Sequence, residues 1–359
     1  MDSIDLLLKD LTETPGIGSY EDRIREKMAQ YLSPFGEIKY DRIGSILCEK
    51  RGDMSYPRVM LAAHMDEVGF IVKYITDEGF LKFAPIGGWW SQVLPSQRVI
   101  VYSKSGEFPG VIGSKPPHLL PQEEREKPIK LEDLFIDIGA RSKEEVEKDF
   151  GIKPGSPIVP WSQYQVIGKD GKYLLGKAWD DRIGCAVIIR VFEELKGEEH
   201  PNTIIGVGTV QEEVGLRGAE TSVKIAKPDV AFVLEVGLAG DTPNVKKEES
   251  DIKLGKGPSI GVMDSSMLPN RKLVEFVEEV AEEEHIPYQY ELLLRGGEDG
   301  GRIHLYDGGV PTVVISVPSR YIHSHVGVVH RDDFEDTVRL MKAVLKRLDA
   351  KKIANLIWV

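Results

Sequence analysis

The stretch VMLAAHMDEVGF, residues 59–70, decides how this chain is read. Its first half, Val59 to Ala63, is short and wholly apolar, the pattern of a strand buried on both faces. It runs directly into His64-Met65-Asp66-Glu67, where three side chains can hold a metal or move a proton. From Val68 the texture changes. Short alternating runs continue to Val166, among them GFIVKYI, GFLKF, RVIVYS, PGVIG and LFIDIG, closely punctuated by Gly and Pro. Such spacing predicts a small all-β module. Within it, Ser142 followed by Glu145 has the spacing of a capping box and predicts one short helix.

On either side of that module the pattern is α/β. Residues 4–31 carry helical periodicity, interrupted by the turn Thr14-Pro15-Gly16. After Leu174 come TIIGVGTV, DVAFVLEV and TVVISV, nearly continuous and rich in β-branched residues, the pattern of buried strands. Helices are expected over 182–195, 272–284 and 332–348, the first with Val187, Ile188, Val191, Phe192 and Leu195 on one face. The β-rich segment therefore reads as an insertion into an α/β domain whose first strand precedes it.

Composition narrows the function. At 359 residues, two domains are the better expectation. With 41% apolar and 29% charged residues the chain has an ordinary globular composition. The opening MDSIDLLLKDLTETPG is amphipathic rather than signal-like, and no apolar run reaches membrane-spanning length, so a cytoplasmic protein is expected. Cys48 and Cys185 have neither disulfide nor zinc spacing. A net charge of −12 argues against sequence-independent nucleic-acid binding, which needs a basic footprint.

Five places carry chemistry, each leaving a predicted strand or opening the loop after one: His64 with Asp66, Asp180-Asp181, Glu212-Glu213, Glu235, and His323. In open α/β sheets, ligands gather beyond the carboxyl ends of the strands. Taken singly the signals are weak, since Asp180-Asp181 also suits a helix N-terminus and Glu-Glu pairs are common on solvated faces. Together they form a set of imidazoles and carboxylates suited to zinc, cobalt or manganese rather than calcium. Two metals need a bridging carboxylate and terminal ligands on both sides, and the set is large enough to supply them. Adjacent Glu212 and Glu213 leave the strand in different directions, so one can ligate while the other serves as general base.

HMDEVGF, APIGGWW, KAWDDRIG, VQEEVGLRGA and RYIHSHVGVV resemble, in order, the dinuclear-metal aminopeptidases of the tetrahedral (TET) family, which includes deblocking and glutamyl aminopeptidases and some members labelled cellulase or endoglucanase. The resemblance implies that His64, Asp180 and Glu235 hold one metal and that Asp180, Glu213 and His323 hold the other, with Asp180 bridging and followed by a cis bond. It implies Glu212 as catalytic base and Asp66 as the carboxylate that orients His64. At position 235 many relatives carry Asp. The implied fold is α/β: a three-layer αβα catalytic domain with a mixed sheet, of the zinc-peptidase kind, over 1–67 and 167–359. A β-barrel-like dimerisation domain, 68–166, is inserted in it, and six dimers would build a hollow dodecamer.

The expected activity is release of N-terminal residues from peptides by a water that two metals activate. A two-metal carboxypeptidase or N-acyl amino-acid deacylase would need a cation for the substrate carboxylate; Arg217 and Arg320 are the possibilities. A glucanase would leave the two histidines unexplained, and a regulatory subunit would not need the free Glu beside a full ligand set. Arg295-Gly296-Gly297-Glu298-Asp299-Gly300-Gly301 reads either as a turn or as a loop offering backbone N–H groups to substrate. It lacks the residues of a nucleotide-binding P-loop. His118 is a surface histidine or meets a neighbouring subunit, and His304, His325 and His330 have no assigned role.

Overall fold

The computed structural model of the chain describes residues 1–357. An eleven-stranded mixed sheet forms its centre. Four parallel strands lie in its middle, in the order Thr203–Thr209, Arg58–His64, Val230–Leu238 and Thr312–Arg320. Period-two alternation assigns their side chains to two separate cores. Val59, Leu61 and Ala63 join Phe232, Leu234, Val313 and Ile315 on one face. Met60 and Ala62 join Ile205, Val207, Ala231 and Val233 on the other.

The larger core is covered by Ser3–Glu13, Asp22–Leu32, Trp179–Glu194, Arg271–Glu283 and Arg331–Arg347. The smaller is covered by Arg217–Ala226 and Gly300–Ile303. The result is three layers, αβα, as expected. The expected helix over 182–195 departs from the sequence reading in one respect. It is buried nearly all round, because the N-terminal helices and Arg331–Arg347 cover the face that an amphipathic helix would turn to solvent. Regular helical geometry starts at Arg182, as expected, since Asp180 and Asp181 keep non-helical dihedrals.

After His64 the chain leaves the sheet and closes a six-stranded antiparallel barrel from Gly69–Ile75, Leu81–Ile86, Phe135–Asp137, Gly106–Gly113, Arg98–Ser103 and Pro157–Pro160. Phe70, Val72, Leu81, Val99, Val101, Ile136 and Ile158 fill it, a core separate from both of the others. Closure removes free strand edges. The chain re-enters the large sheet at Gln165–Ile167. Two outer strands, Glu37–Tyr40 and Ile46–Arg51, were not expected; the outermost is partly or fully exposed along its length and carries no apolar alternation to announce it.

Candidate functional site

The carboxyl ends of the four central strands converge on one cavity of about 510 Å³. His64 closes its strand, Glu212 and Glu213 follow Thr203–Thr209, Glu235 lies within Val230–Leu238, and His323 follows Thr312–Arg320. Asp180 joins them from the start of its helix. All six line the cavity. Asp180 is the centre of the arrangement. Its Oδ1 lies 2.8 Å from His64 Nε2 and its Oδ2 lies 3.1 Å from His323 Nε2. Glu213 approaches His323 at 3.4 Å, and Glu235 and Glu212 approach His64 at 3.8 and 3.9 Å. The bond between Asp180 and Asp181 is cis.

Metal-ligating atoms of His64, Asp180 and Glu213 lie within 4.8 Å of one another, as do those of His64, Asp181 and Glu235. Asp181 was not expected in such a set. Its carboxylate is already engaged, accepting from the backbone N–H of His64 at 3.1 Å and of Gly184 at 2.9 Å, so it caps the helix and fixes His64. Asp180 is the member of the pair left free for a cation.

Asp66 acts differently from the expectation. His64 Nδ1 is hydrogen-bonded to the backbone carbonyl of Asp66 at 2.8 Å, whereas the Asp66 carboxylate stands 3.7 Å away. That carboxylate instead accepts the backbone N–H groups of Glu212 at 3.0 Å and Glu213 at 3.2 Å. It thus fixes the two glutamates, while its main chain fixes the histidine.

Electrostatics point to a missing positive charge. Burial and the surrounding negative charge push the pKa of Glu212 and Glu235 well above the carboxylate range, and that of Glu213 up to about 8. Burial opposes charging of His323, but Asp180 and Glu213 outweigh it and hold the imidazole at about 9. Glu213 Oε1 is buried with no hydrogen-bond partner. Buried carboxylates in this number are stable only when paired or coordinated. The donor set and the unpartnered oxygen therefore fit divalent cations.

Backbone strain gathers here too. Ala178, Gln211, Leu216, Tyr321 and His323 all have positive φ, between 53° and 64°. Such conformations are disfavoured for side-chain-bearing residues and collect where function over-determines the fold. Part of the wall comes from the barrel, through the APIGGWW segment. A Cβ at Gly88 would stand 3.1 Å from His323 Nδ1, and one at Gly87, whose φ is +80°, would stand 2.7 Å from Glu213 Oε2. Only glycines allow that approach.

The RGGEDGG loop is more than a turn: Arg295, Gly296, Gly297 and Glu298 line the cavity, and Asp299 accepts the hydroxyl of Thr209 beneath it. Glu298 and Glu291 are the lining carboxylates that sequence reasoning missed. Of the two arginines considered for a substrate carboxylate, Arg320 is held bidentate by Asp241 at 2.6–2.7 Å and Arg217 is bonded to the side chain of Gln211. Neither lines the cavity. The unassigned histidines lie elsewhere. His118 is exposed in the barrel. His304 bonds the Gly300 carbonyl, His330 accepts the Asp332 N–H at a helix start, and His325 is buried against the Trp89 ring.

The family model for M42 glutamyl aminopeptidase matches residues 44–340. A TET aminopeptidase from the marine sediment archaeon Thaumarchaeota archaeon SCGC AB-539-E09 superimposes with a TM-score of 0.96 at 47% identity, covering 99% of each chain. The Pyrococcus horikoshii TET1 peptidase, described as able to assemble into a tetrahedron or a large octahedral shell, superimposes with a TM-score of 0.86 at 36% identity, over 96% of this chain and all of that one. The lysyl aminopeptidase of Pyrococcus furiosus is 35% identical over 346 residues, 95% of this chain and 96% of its own length. The ordered motifs, the three-layer fold with its barrel and these similarities agree: the chain belongs to the M42 glutamyl aminopeptidase family and is a peptide hydrolase.

Proposed function

We propose that this enzyme removes N-terminal residues from peptides with two divalent cations, one held by His64, Asp180 and Glu235 and the other by Asp180, Glu213 and His323. The observation that carries this reading is Asp180, whose two oxygens are divided between two histidine–carboxylate groups, the layout of a bridging ligand. Cations bound there polarise a scissile carbonyl and lower the pKa of water. Zinc or cobalt suits the mixed imidazole and carboxylate donors best, with manganese also compatible.

Glu212 is outside that ligand set yet lines the same cavity, which suits it to take the proton of the attacking water on its carboxylate and pass it to the leaving amine nitrogen. Asp66 holds Glu212 and Glu213 by their backbone N–H groups, so it is a positioning residue for both base and ligand. An excess of carboxylates around the cavity favours a substrate that brings a free ammonium; neither Arg217 nor Arg320 lines it, and Arg295, the arginine that does, is exposed and outnumbered by the lining carboxylates. Aminopeptidase is therefore favoured over carboxypeptidase or deacylase.

The proposal includes a division of labour, with 1–67 and 167–359 as the catalytic unit and 68–166 as a dimerisation module from which a dodecamer is built. Exposed Tyr74, Trp90 and Trp161 on and beside the barrel support an interface there, as does the assembly described for the Pyrococcus horikoshii relative. Two buried free thiols suit the cytoplasm. Among the described residues, no helix is long and apolar enough to cross a membrane.

The test is chelation. Treatment with a chelator abolishes release of amino acids from unblocked peptides, zinc, cobalt or manganese restores it, and N-acetylated peptides are refused in either state. Full activity in the metal-free protein contradicts the reading.

A further inference from the structure

Family membership leaves the preferred N-terminal residue open, because the family description is glutamyl while a relative of 35% identity is lysyl. The cavity itself discriminates between these. Beyond the residues grouped around Asp180, two more carboxylates line it, Glu291 and Glu298. Glu291 is buried and accepts the Leu238 N–H at 2.8 Å and the Ser259 hydroxyl at 3.0 Å. Glu298 differs: its Oε2 is buried and has no partner. It lines the cavity but is outside the two groups of ligand atoms gathered around His64. A small recess adjoins the cavity, and Glu291, Leu293 and Glu298 line both. The lining also carries apolar side chains, among them Val236, Leu238 and Ile322.

A lining that combines apolar side chains with a carboxylate carrying a buried, unpartnered oxygen fits a long aliphatic stem with a cationic tip. An acidic side chain in the same place would set like charges together in a desolvated site. Arg295, the cation of the lining, is exposed, so it does not neutralise the buried oxygen. We infer that Glu298, assisted by Glu291, selects peptides with N-terminal lysine or arginine by receiving the side-chain cation. This rests on the aminopeptidase reading of the site and assigns Glu298 as a specificity residue rather than a metal ligand.

The test uses the full-length, metal-reconstituted enzyme with lysyl, leucyl and glutamyl p-nitroanilides. The native enzyme turns over the lysyl substrate with the highest kcat/KM and the glutamyl substrate with the lowest. Glu298→Gln reduces the lysyl-to-leucyl ratio of kcat/KM by roughly 10- to 100-fold, as loss of a charged hydrogen bond should. Glu298→Asp keeps the lysyl preference in part, and Glu291→Gln narrows it. A glutamyl preference in the native enzyme, or a lysyl rate no higher than the leucyl rate, overturns the inference without any variant having to fold. Equal losses on all three substrates in Glu298→Gln also overturn it, since Glu298 would then serve the shared α-ammonium. If none of the three is cleaved, the aminopeptidase reading itself fails.

Discussion

Asp66 and Glu67 are neighbours, and so are Asp181 and Arg182, yet each pair is split between two buried charge clusters of opposite character. Behind the site, Glu67 receives Lys177 Nζ on both oxygens at 2.6 Å, and the Arg182 guanidinium stands 3.7 Å away. Arg182 also donates to the carbonyls of Leu11, Thr14, Gly16 and Met65. Every charge there has a partner, and the cluster ties the N-terminal helix to the active-site strand. In front, Asp180, Glu212, Glu213 and Glu235 share two histidines, and an oxygen of Glu213 has no hydrogen-bond partner. The rear cluster is fully buried, whereas the front one borders the cavity, with the His323 side chain 38% exposed. The one that balances itself is structural, and the one left short of positive charge is the one proposed to take cations and substrate.

That contrast can be broken from either side. The largest effect is expected in front: Glu212→Gln lowers kcat by about 10²- to 10⁴-fold, the usual worth of a general base, with metal content by elemental analysis unchanged. Should the variant lose metal while Glu213→Gln keeps it, the two glutamates exchange roles. Behind the site, Lys177→Met strands a buried carboxylate and costs about 3–5 kcal/mol of folding stability, read by thermal or denaturant unfolding. Glu67→Leu combined with Lys177→Met loses less than the sum of the single changes, because a balanced pair is replaceable by apolar packing. Additive losses would show that the cluster is not a self-contained pair.

Asp66 joins the two regions and gives a smaller effect. Asp66→Ala frees the Glu212 and Glu213 N–H groups and reduces turnover or metal affinity by roughly 10- to 100-fold. Smallest is Arg320→Ala, at the half-open pair with Asp241, which costs about 1 kcal/mol or less of stability and leaves the preference for free amino termini unaltered. A change of that preference would reopen the carboxypeptidase reading.

Legibility of the site in the sequence followed the same division. His64, Glu212, Glu213 and His323 close or follow strands, Glu235 lies inside one and Asp180 opens a helix, close enough to the expected strand ends for chain-local patterning to gather all six. The α/β frame and the β-rich insertion were equally visible, because buried strands and closely spaced turns each have a period. Partnerships were not visible. Nothing local distinguishes Glu67, which is neutralised by Lys177 across 110 residues, from Asp66 beside it. Glu298 read as part of a turn or of a loop offering backbone N–H groups, because only the fold makes its side chain part of the cavity lining. Gly87 and Gly88 stood in a recognisable motif, but their reason, contact with Glu213 and His323, belongs to the packing of barrel against sheet. The role of Asp66 shifted for the same cause: the backbone of the Glu212–Glu213 turn, not the His64 ring, lies within reach of its carboxylate.

The account turns on Asp180 as the ligand common to two cations, so metal stoichiometry tests it most directly. Equilibrium dialysis of the native chain with zinc, followed by elemental analysis, should give two ions per chain. Asp180→Ala should lose both, whereas Glu235→Gln should lose one. One ion in the native protein, or two retained by Asp180→Ala, contradicts the account.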